Sequence, residues 1–353
     1  IYVSYDDGTS WSSFQKNLPI VPITDLTIKN NSLIVATQGR SIWILDDLTV
    51  LHQLQPDNRN AQTLLFKPKE SYRTKGRGGK SSLTAGTNLP NGVIVHYFLK
   101  NYDAEKDTVV LQFQSEDGAV IKTYSTKDKK NKLEVKAGGN EFVWDTRYDG
   151  AEKLEGMIFW SASFSGAKAV PGSYKVRLAV NGKEQTQDFT ILPDPRSESS
   201  VADMQKQFDF VNEVNQTVDK AHKAIKNMRE IRSKLKDFVK QNQSDSTATK
   251  LVAQAKTIQE DLLEVEKTLY QTQNRSNQDP LNFPIRLTNK LGHLNRLLTI
   301  DDFPPTNQDL AVKEELTAAV EVAMERYQQL IDSDVASFNE DFKKEKRNYL
   351  GTN

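Results

Sequence analysis

The feature that most constrains this chain is a change of hydrophobic period at the short stretch PDPR, residues 193–196. Before it, apolar residues recur every second position; after it, they recur every three to four. Pro193 and Pro195 fall at the change, where two missing backbone donors stop strand pairing. A chain with that switch cannot be one uniform layer, and its 353 residues suit two or three domains, each large enough to bury a core of its own.

Upstream of the switch the alternation is clearest in residues 91–196. Val93, Val95, Tyr97 and Leu99 fall on one face, as do Val109, Leu111 and Phe113 of the next run; Phe142 with Trp144, and Ile158 with Trp160, extend the series. In SYKVRLAVNGKEQTQDFTIL the Asn181-Gly182 dipeptide supplies the positive φ values of a two-residue turn between alternating flanks, the best hairpin signal in the chain. Six or seven such strands predict an antiparallel sandwich of immunoglobulin type, without cysteines to form the usual cross-sheet bridge. Residues 1–56 read as shorter strands at 25–28, 33–36 and 42–45, bent at Asn30-Asn31 and Gly39. They are too few to close a sheet. Residues 57–90 lose the alternation apart from a short strand at TLLF, and RTKGRGGKSS after it reads as a crossing or flexible loop, so the stretch is taken as a linker.

Downstream, Ser200 with Asp203 forms a capping-box pattern. Met204, Phe208, Val211, Val214, Val218, Ala221, Ile225, Met228, Ile231, Leu235 and Phe238 then draw one stripe along a long helix. Further stripes run from Leu251 to Leu269, from Leu287 to Leu298 after Pro284, and from Leu316 to Leu330 after the cap at Thr306 and Asp309. Short connections between these helices predict an antiparallel helical bundle over 197–353.

Composition narrows the chemistry. Lys plus Arg equals Asp plus Glu at 47 each, so no net field draws the chain to nucleic acid or an anionic bilayer. Cysteine is absent, which removes disulfides, thiolate metal sites and cysteine nucleophiles. No apolar run approaches the roughly 18 residues of a membrane span.

At the start of the chain, SYDDGTSW carries Ser4, Asp6, Gly8 and Trp11 in the order Ser-x-Asp-x-Gly-x-x-Trp. The four residue types suit a turn: Ser and Asp bond its backbone, Gly takes a conformation closed to other residues, and Trp wedges into a core. The pattern resembles the Asp-box, the bacterial neuraminidase repeat of sialidases and sortilin-type propellers. With VATQGRSIWILDD at 35–47, FVWDTRYDG at 142–150 and PGSYKVRLAVNG at 171–182, the chain is similar to the C-terminal part of large bacterial β-propeller proteins grouped with the sortilin N-terminal domain. The resemblance implies a multidomain β + α protein. The last blades of a partial β-propeller would occupy 1–56 with one Asp-box, followed by a linker at 57–90, an immunoglobulin-like antiparallel β-sandwich at 91–196 and a C-terminal antiparallel helical bundle at 197–353. It also implies that blades are missing upstream.

Few residues offer chemistry. Asp6-Asp7 and Asp46-Asp47 supply carboxylate pairs, but neighbours on a strand face opposite ways and cannot form a glycosidase dyad. A sialidase needs an arginine cluster, and Arg40 is the sole arginine before the linker. Gly79, Lys80 and Ser81 match the end of a phosphate-binding loop whose first glycine is replaced by Thr74. Arg73, Lys75, Arg77 and Lys80 could form a basic patch, with a solvated linker the plainer reading. His52, His96, His222 and His293 lack the spacing of a zinc helix, and Asp145 with Asp149 lacks the donors calcium needs. Asn30 and Asn215 begin glycosylation sequons. The expectation is therefore no catalytic, cofactor or metal residue in this chain. Its function is expected to be the non-catalytic binding or scaffold portion of a secreted, periplasmic or surface protein of a bacterium. The alternative is an accessory region of a glycoside hydrolase whose active site lies in upstream blades. The implied partners are the remaining blades or a separate N-terminal chain, and another envelope protein or a glycan.

Overall fold

Alternation upstream and helical stripes downstream both become structure in the computed structural model, which describes residues 1–55, 58, 60–74 and 89–344. The chain divides into two units, one of residues 1–146 and 171–192, the other of residues 147–170 and 193–353.

The first unit is built of sheets. Strands β1 (Tyr2–Val3) and β2 (Ser12–Ser13) pair across the acidic turn, and β3 (Ile23–Lys29), β4 (Ser32–Thr37) and β5 (Ile42–Leu45) form an antiparallel meander. Asn30 and Asn31 both adopt positive φ, the geometry a two-residue hairpin turn demands. After a single helical turn, α1 (Thr49–His52), come β6 (Thr63–Leu65) and β7 (Ser71–Tyr72). β6 is the short strand read at TLLF, whereas β7 falls in the rest of the stretch, read as a linker; each adds to a sheet, β6 to β8 (Val93–Leu99), and β7, in parallel, to the last strand of the unit. That last strand, β13 (Lys183–Leu192), belongs to a five-stranded sheet ordered β10-β9-β12-β13-β7, with β9 (Val109–Ser115), β10 (Val120–Ser125) and β12 (Gly172–Val180); a three-stranded sheet runs β11-β8-β6, with β11 (Gly138–Trp144). Except for β7, all pairings are antiparallel.

The alternating residues explain why the two sheets meet. Val93, Val95, Tyr97 and Leu99 from one sheet and Val109, Leu111, Phe113, Val176 and Leu178 from the other are all buried. Trp144 of β11 stacks on Phe113 of β9 with ring centroids 4.5 Å apart, and Phe189 of β13 meets both rings edge-on. At one margin, Gln185 and Gln187 of β13 bond the backbone of Thr63 and Leu65 in β6, so side chains replace a strand ladder there. The β12–β13 hairpin turns at Asn181-Gly182, both at positive φ, as the dipeptide requires.

The second unit is helical. α2 (Val201–Gln241) starts at the Ser200–Asp203 capping box, and α3 (Thr249–Leu269), α4 (Leu287–Leu298) and α5 (Asn307–Leu330) follow. α5 opens with a second capping box, Thr306 with Asp309, and after a π-helical turn continues as α6 (Ala336–Lys344). Their stripes bury one another in a continuous apolar core from Phe210 through Leu330 to Phe338. No helix among the described residues is long and apolar enough to cross a membrane.

A further element differs from the sequence reading. Ile158 and Trp160 form no strand; the whole segment 147–170, here termed the strap, is irregular and belongs to the helical unit. Two apolar residues at spacing two do not by themselves distinguish a strand from a loop pressed on helices. Side chains and one backbone carbonyl of the helical region satisfy backbone groups that a strand neighbour would otherwise have served. Ile158 N–H donates to the Tyr270 hydroxyl at 2.9 Å. Trp160 exchanges two bonds with the Asn289 amide at 2.7 and 2.8 Å, and Ser163 N–H reaches the Gly292 carbonyl at 2.8 Å.

Candidate functional site

The acidic turn at the start of the chain is held by its own side chains. Ser4 Oγ donates to Asp6 at 2.9 Å and accepts from Gly8 N–H at 2.7 Å. Ser10 donates to Asp6 twice, through its backbone at 2.8 Å and its hydroxyl at 2.5 Å, and Trp11 Nε1–H donates to the Gly8 carbonyl at 3.1 Å. Gly8 sits at φ +87, which an L side chain rarely adopts. The Ser10 hydroxyl, then the Ser10 amide and the Ser4 hydroxyl, hold the Asp6 carboxyl down to about 2. At neutral pH Asp6 is ionised and engaged by three donors, so it has no proton to give and serves as a turn brace. Trp11, expected to wedge into a core, is 63% exposed and lies over Gly8. No strand among the described residues covers it with an apolar face.

Of the other candidates, the fold brings together two that are distant in sequence, His96 and Asp47, and sets Glu141, which the sequence did not single out, beside the imidazole. His96 of β8 lies with Nε2 4.0 Å from Asp47 and Nδ1 3.9 Å from Glu141 of β11, whose backbone is in register with it. Asp47 is already employed: its Oδ1 accepts from the Thr49 backbone and hydroxyl at 2.8 and 2.6 Å, bracing the start of α1. His96 and Glu141 border a cleft of about 580 Å³ whose lining also includes Val50, Phe66, Glu134 and Asn140. The carboxylates approach opposite nitrogens of one ring, an arrangement suited to orienting an imidazole rather than to gripping one ion between all three. Among the described residues no group of three or more His, Asp or Glu side chains is gathered to hold a metal ion.

The remaining candidates separate. Arg40 is exposed, and its carbonyl accepts from the Trp43 indole at 2.9 Å. Gly79, Lys80 and Ser81, with Lys75 and Arg77, lie outside the described residues; Arg73, read as part of the same solvated stretch, is 1% exposed, and its backbone N–H bonds Leu192. His52 is exposed on α1. Asp145 and Asp149 are both exposed and fall in different units. Asn30 is exposed in the β3–β4 turn, whereas Asn215 is buried in α2 with its amide donating to Ser165, so the second sequon presents no free acceptor.

Sequence reasoning missed the residues that hold the strap. Asn215, Asn289 and Asn295 lie on the buried faces of α2 and α4, and His222, Tyr270 and His293 join them. The available signal was composition: asparagine is a poor helix former, and its presence beside an apolar stripe needs a partner to explain it.

No family model matches the chain, and no curated protein matches it. A solved structure titled pT26-6p is similar at 8% identity with a TM-score of 0.13, over 69% of this chain. The match takes in 46% of that structure's length, and a likeness at this level carries no argument about fold or activity.

Proposed function

We propose that this chain is the non-catalytic binding or scaffold portion of a β-propeller protein of a bacterial cell envelope or secretome. In this reading 1–56 contributes propeller blades, the facing sheets form an immunoglobulin-like sandwich, and the helices form a docking bundle. What carries the reading is the β3–β5 meander. Directly paired residues share a face of a sheet. By that rule Ile42 and Ile44 fall on one face, while Leu26, Ile28 and Leu45 fall on the other. All five are exposed. A sheet that is apolar on both faces is suited to burial between two other sheets, which is how successive four-stranded blades of a propeller pack. The occupants proposed for the two faces are further blades of the same protein, with the Asp6 turn as blade chemistry and not as a catalytic acid.

The experiment is intact-mass measurement and N-terminal sequencing of the native material. The expected result is a longer polypeptide, or a tight complex with one, carrying additional sheet modules. A folded, monomeric species of these 353 residues alone would overturn the reading. Turnover of a glycoside panel by this chain would overturn its non-catalytic part.

A further inference from the structure

The strap and the helix beneath it meet at one buried imidazole. His222, in the middle of α2, has no solvent exposure. Its Nδ1 bonds the carbonyl of Glu152, and its Nε2 is buried without a hydrogen-bond partner. Phe159 and Phe164 of the strap lie with ring centroids 5.6 and 5.5 Å from the imidazole, and Phe159 also packs edge-on against Tyr270. The geometry fixes the tautomer: Nδ1 carries the proton that the Glu152 carbonyl accepts, so Nε2 is bare. A second proton has nowhere to go but Nε2, where it would place a charged N–H among aromatic rings with nothing to receive it.

From this arrangement we infer that His222 is an acid-released latch for residues 147–170. Near neutral pH the neutral ring holds the strap by its carbonyl; below about pH 6.5 protonation favours the open strap, in which the imidazolium reaches water. Charged groups approach the ring from several elements. On α2, Asp219 accepts from Glu152 N–H at 3.1 Å and is paired with Lys223 at 2.6 Å, and Arg229 lies on the same helix. From α3, Glu266 binds Arg229 and Arg232, and Tyr270 follows that helix. The strap brings Glu152 itself and Lys153, whose ammonium sits 5.8 Å from the Phe159 ring centre. α4 brings His293, bonded to the Ser161 carbonyl at 2.8 Å. Asp219 and Glu152 favour the imidazolium and Arg229 opposes it, but burial outweighs them and holds the His222 pKa below its ordinary value. The sign follows: the unlatched state binds more protons, so latching is complete above about pH 6.5 and weakens as pH falls toward the lowered value.

Hydrogen exchange on the full chain, corrected for the intrinsic pH dependence of exchange, reads this directly. The amides of Ile158, Trp160 and Ser163 should open up to about tenfold more per pH unit below about 6.5. Amides of the β8–β9 core and of α2 around Val218 should not follow. His222→Gln keeps a donor for the Glu152 carbonyl without titrating, and should flatten the response; His293→Gln should leave it in place. A measurement on the unaltered protein runs beside these, because the His222 ring resonance must titrate together with strap opening. Strap amides indifferent to pH, an unchanged slope in His222→Gln, opening of the α2 core in parallel, or strap release while the His222 resonance stays neutral would each overturn the latch.

Discussion

Replacing Gly292 by alanine sets two well-understood effects against each other. Gly292 lies inside α4, where alanine is favoured over glycine by about 1 kcal/mol. Propensity alone therefore predicts a more stable protein. The structure predicts the reverse. A Cβ at this position would lie 2.6 and 2.7 Å from Cε1 and Cζ of Phe164 and 2.9 Å from the Ala162 Cβ, against the 3.4 Å at which ordinary contact begins. Phe164 would have to retreat by about 0.8 Å, a displacement a close-packed interior resists. It has little room: Phe159 lies edge-on to it at 4.6 Å, His222 stands behind it at 5.5 Å, and Ser163 next to it is tied to the Gly292 carbonyl. Overpacking of this kind costs about 1–3 kcal/mol, and pressure on the strap bonds adds to it, so Gly292→Ala should lose about 1–2 kcal/mol net. Urea unfolding followed by far-UV circular dichroism, which reports the helical unit, measures it. Phe164→Leu in the same background supplies the cycle: with the ring trimmed, alanine should recover its propensity advantage. A Gly292→Ala protein at least as stable as the parent, or one that Phe164→Leu does not rescue, would refute the close-approach argument.

Two further outcomes follow from charges. Glu266 is buried with its carboxylate shared between Arg229 at 2.8 Å and Arg232 at 2.6 Å, while the two arginine side chains are 37% and 27% exposed. Removing both arginines strands a buried anion and should cost about 3–5 kcal/mol. Glu266→Gln leaves cations that can turn to water and should cost only about 1–2 kcal/mol; the opposite order in urea unfolding would contradict this. At the acidic turn, the Asp6 carboxyl lies near 2 against an ordinary 3.8. The bracing is therefore fully present above pH 3.8 and lost as pH falls through about 2. The Trp11 indole N–H resonance should shift with a midpoint near 2, and a midpoint near the ordinary 3.8 would show that the Ser10 and Ser4 bonds do not form.

The parts of the fold that local rules dictate were readable. Alternation marked β8, β9 and β12 because half-buried strands bury every second residue, and Asn181-Gly182 marked the β12–β13 hairpin because few dipeptides tolerate two positive φ values. Capping boxes at Ser200 and Thr306 marked helix starts to the residue. The Asp6 turn was readable for the same reason, since all its partners lie within four residues. Trp11 was not, because whether a ring is covered depends on which sheet lies over it. His96 likewise met Glu141 only through strand register and Asp47 only through tertiary packing, neither of which residue spacing encodes.

The strap shows what lies beyond such reading. Its backbone is served by Asn289 and Tyr270, more than 100 residues away, and by His222 and Asn215 on another helix. A segment with only a few backbone bonds of its own, such as Tyr148 N–H to the Ala167 carbonyl and Ala151 N–H to the Phe164 carbonyl, leaves other N–H and C=O groups to be met by side chains that could have been apolar. That requirement leaves a trace: four polar residues, Asn215, His222, Asn289 and Asn295, lie buried on α2 and α4, where leucine or alanine would suit the helix better. Polar groups at such positions weaken a helix core unless they specify what packs against it. Asn295 sharpens the point. Its Nδ2 donates to Asn215 at 3.0 Å and Asn215 passes the chain on to Ser165, yet Asn295 Oδ1 is left without a partner. The relay is thus paired toward the strap and incomplete on its far side. If the helices are built to hold this particular segment, Asn295→Leu should bury more apolar surface and still loosen the strap, raising exchange at Ser163 while the α3 core is unchanged. A variant that tightens both would mean that the asparagines fill space and select nothing.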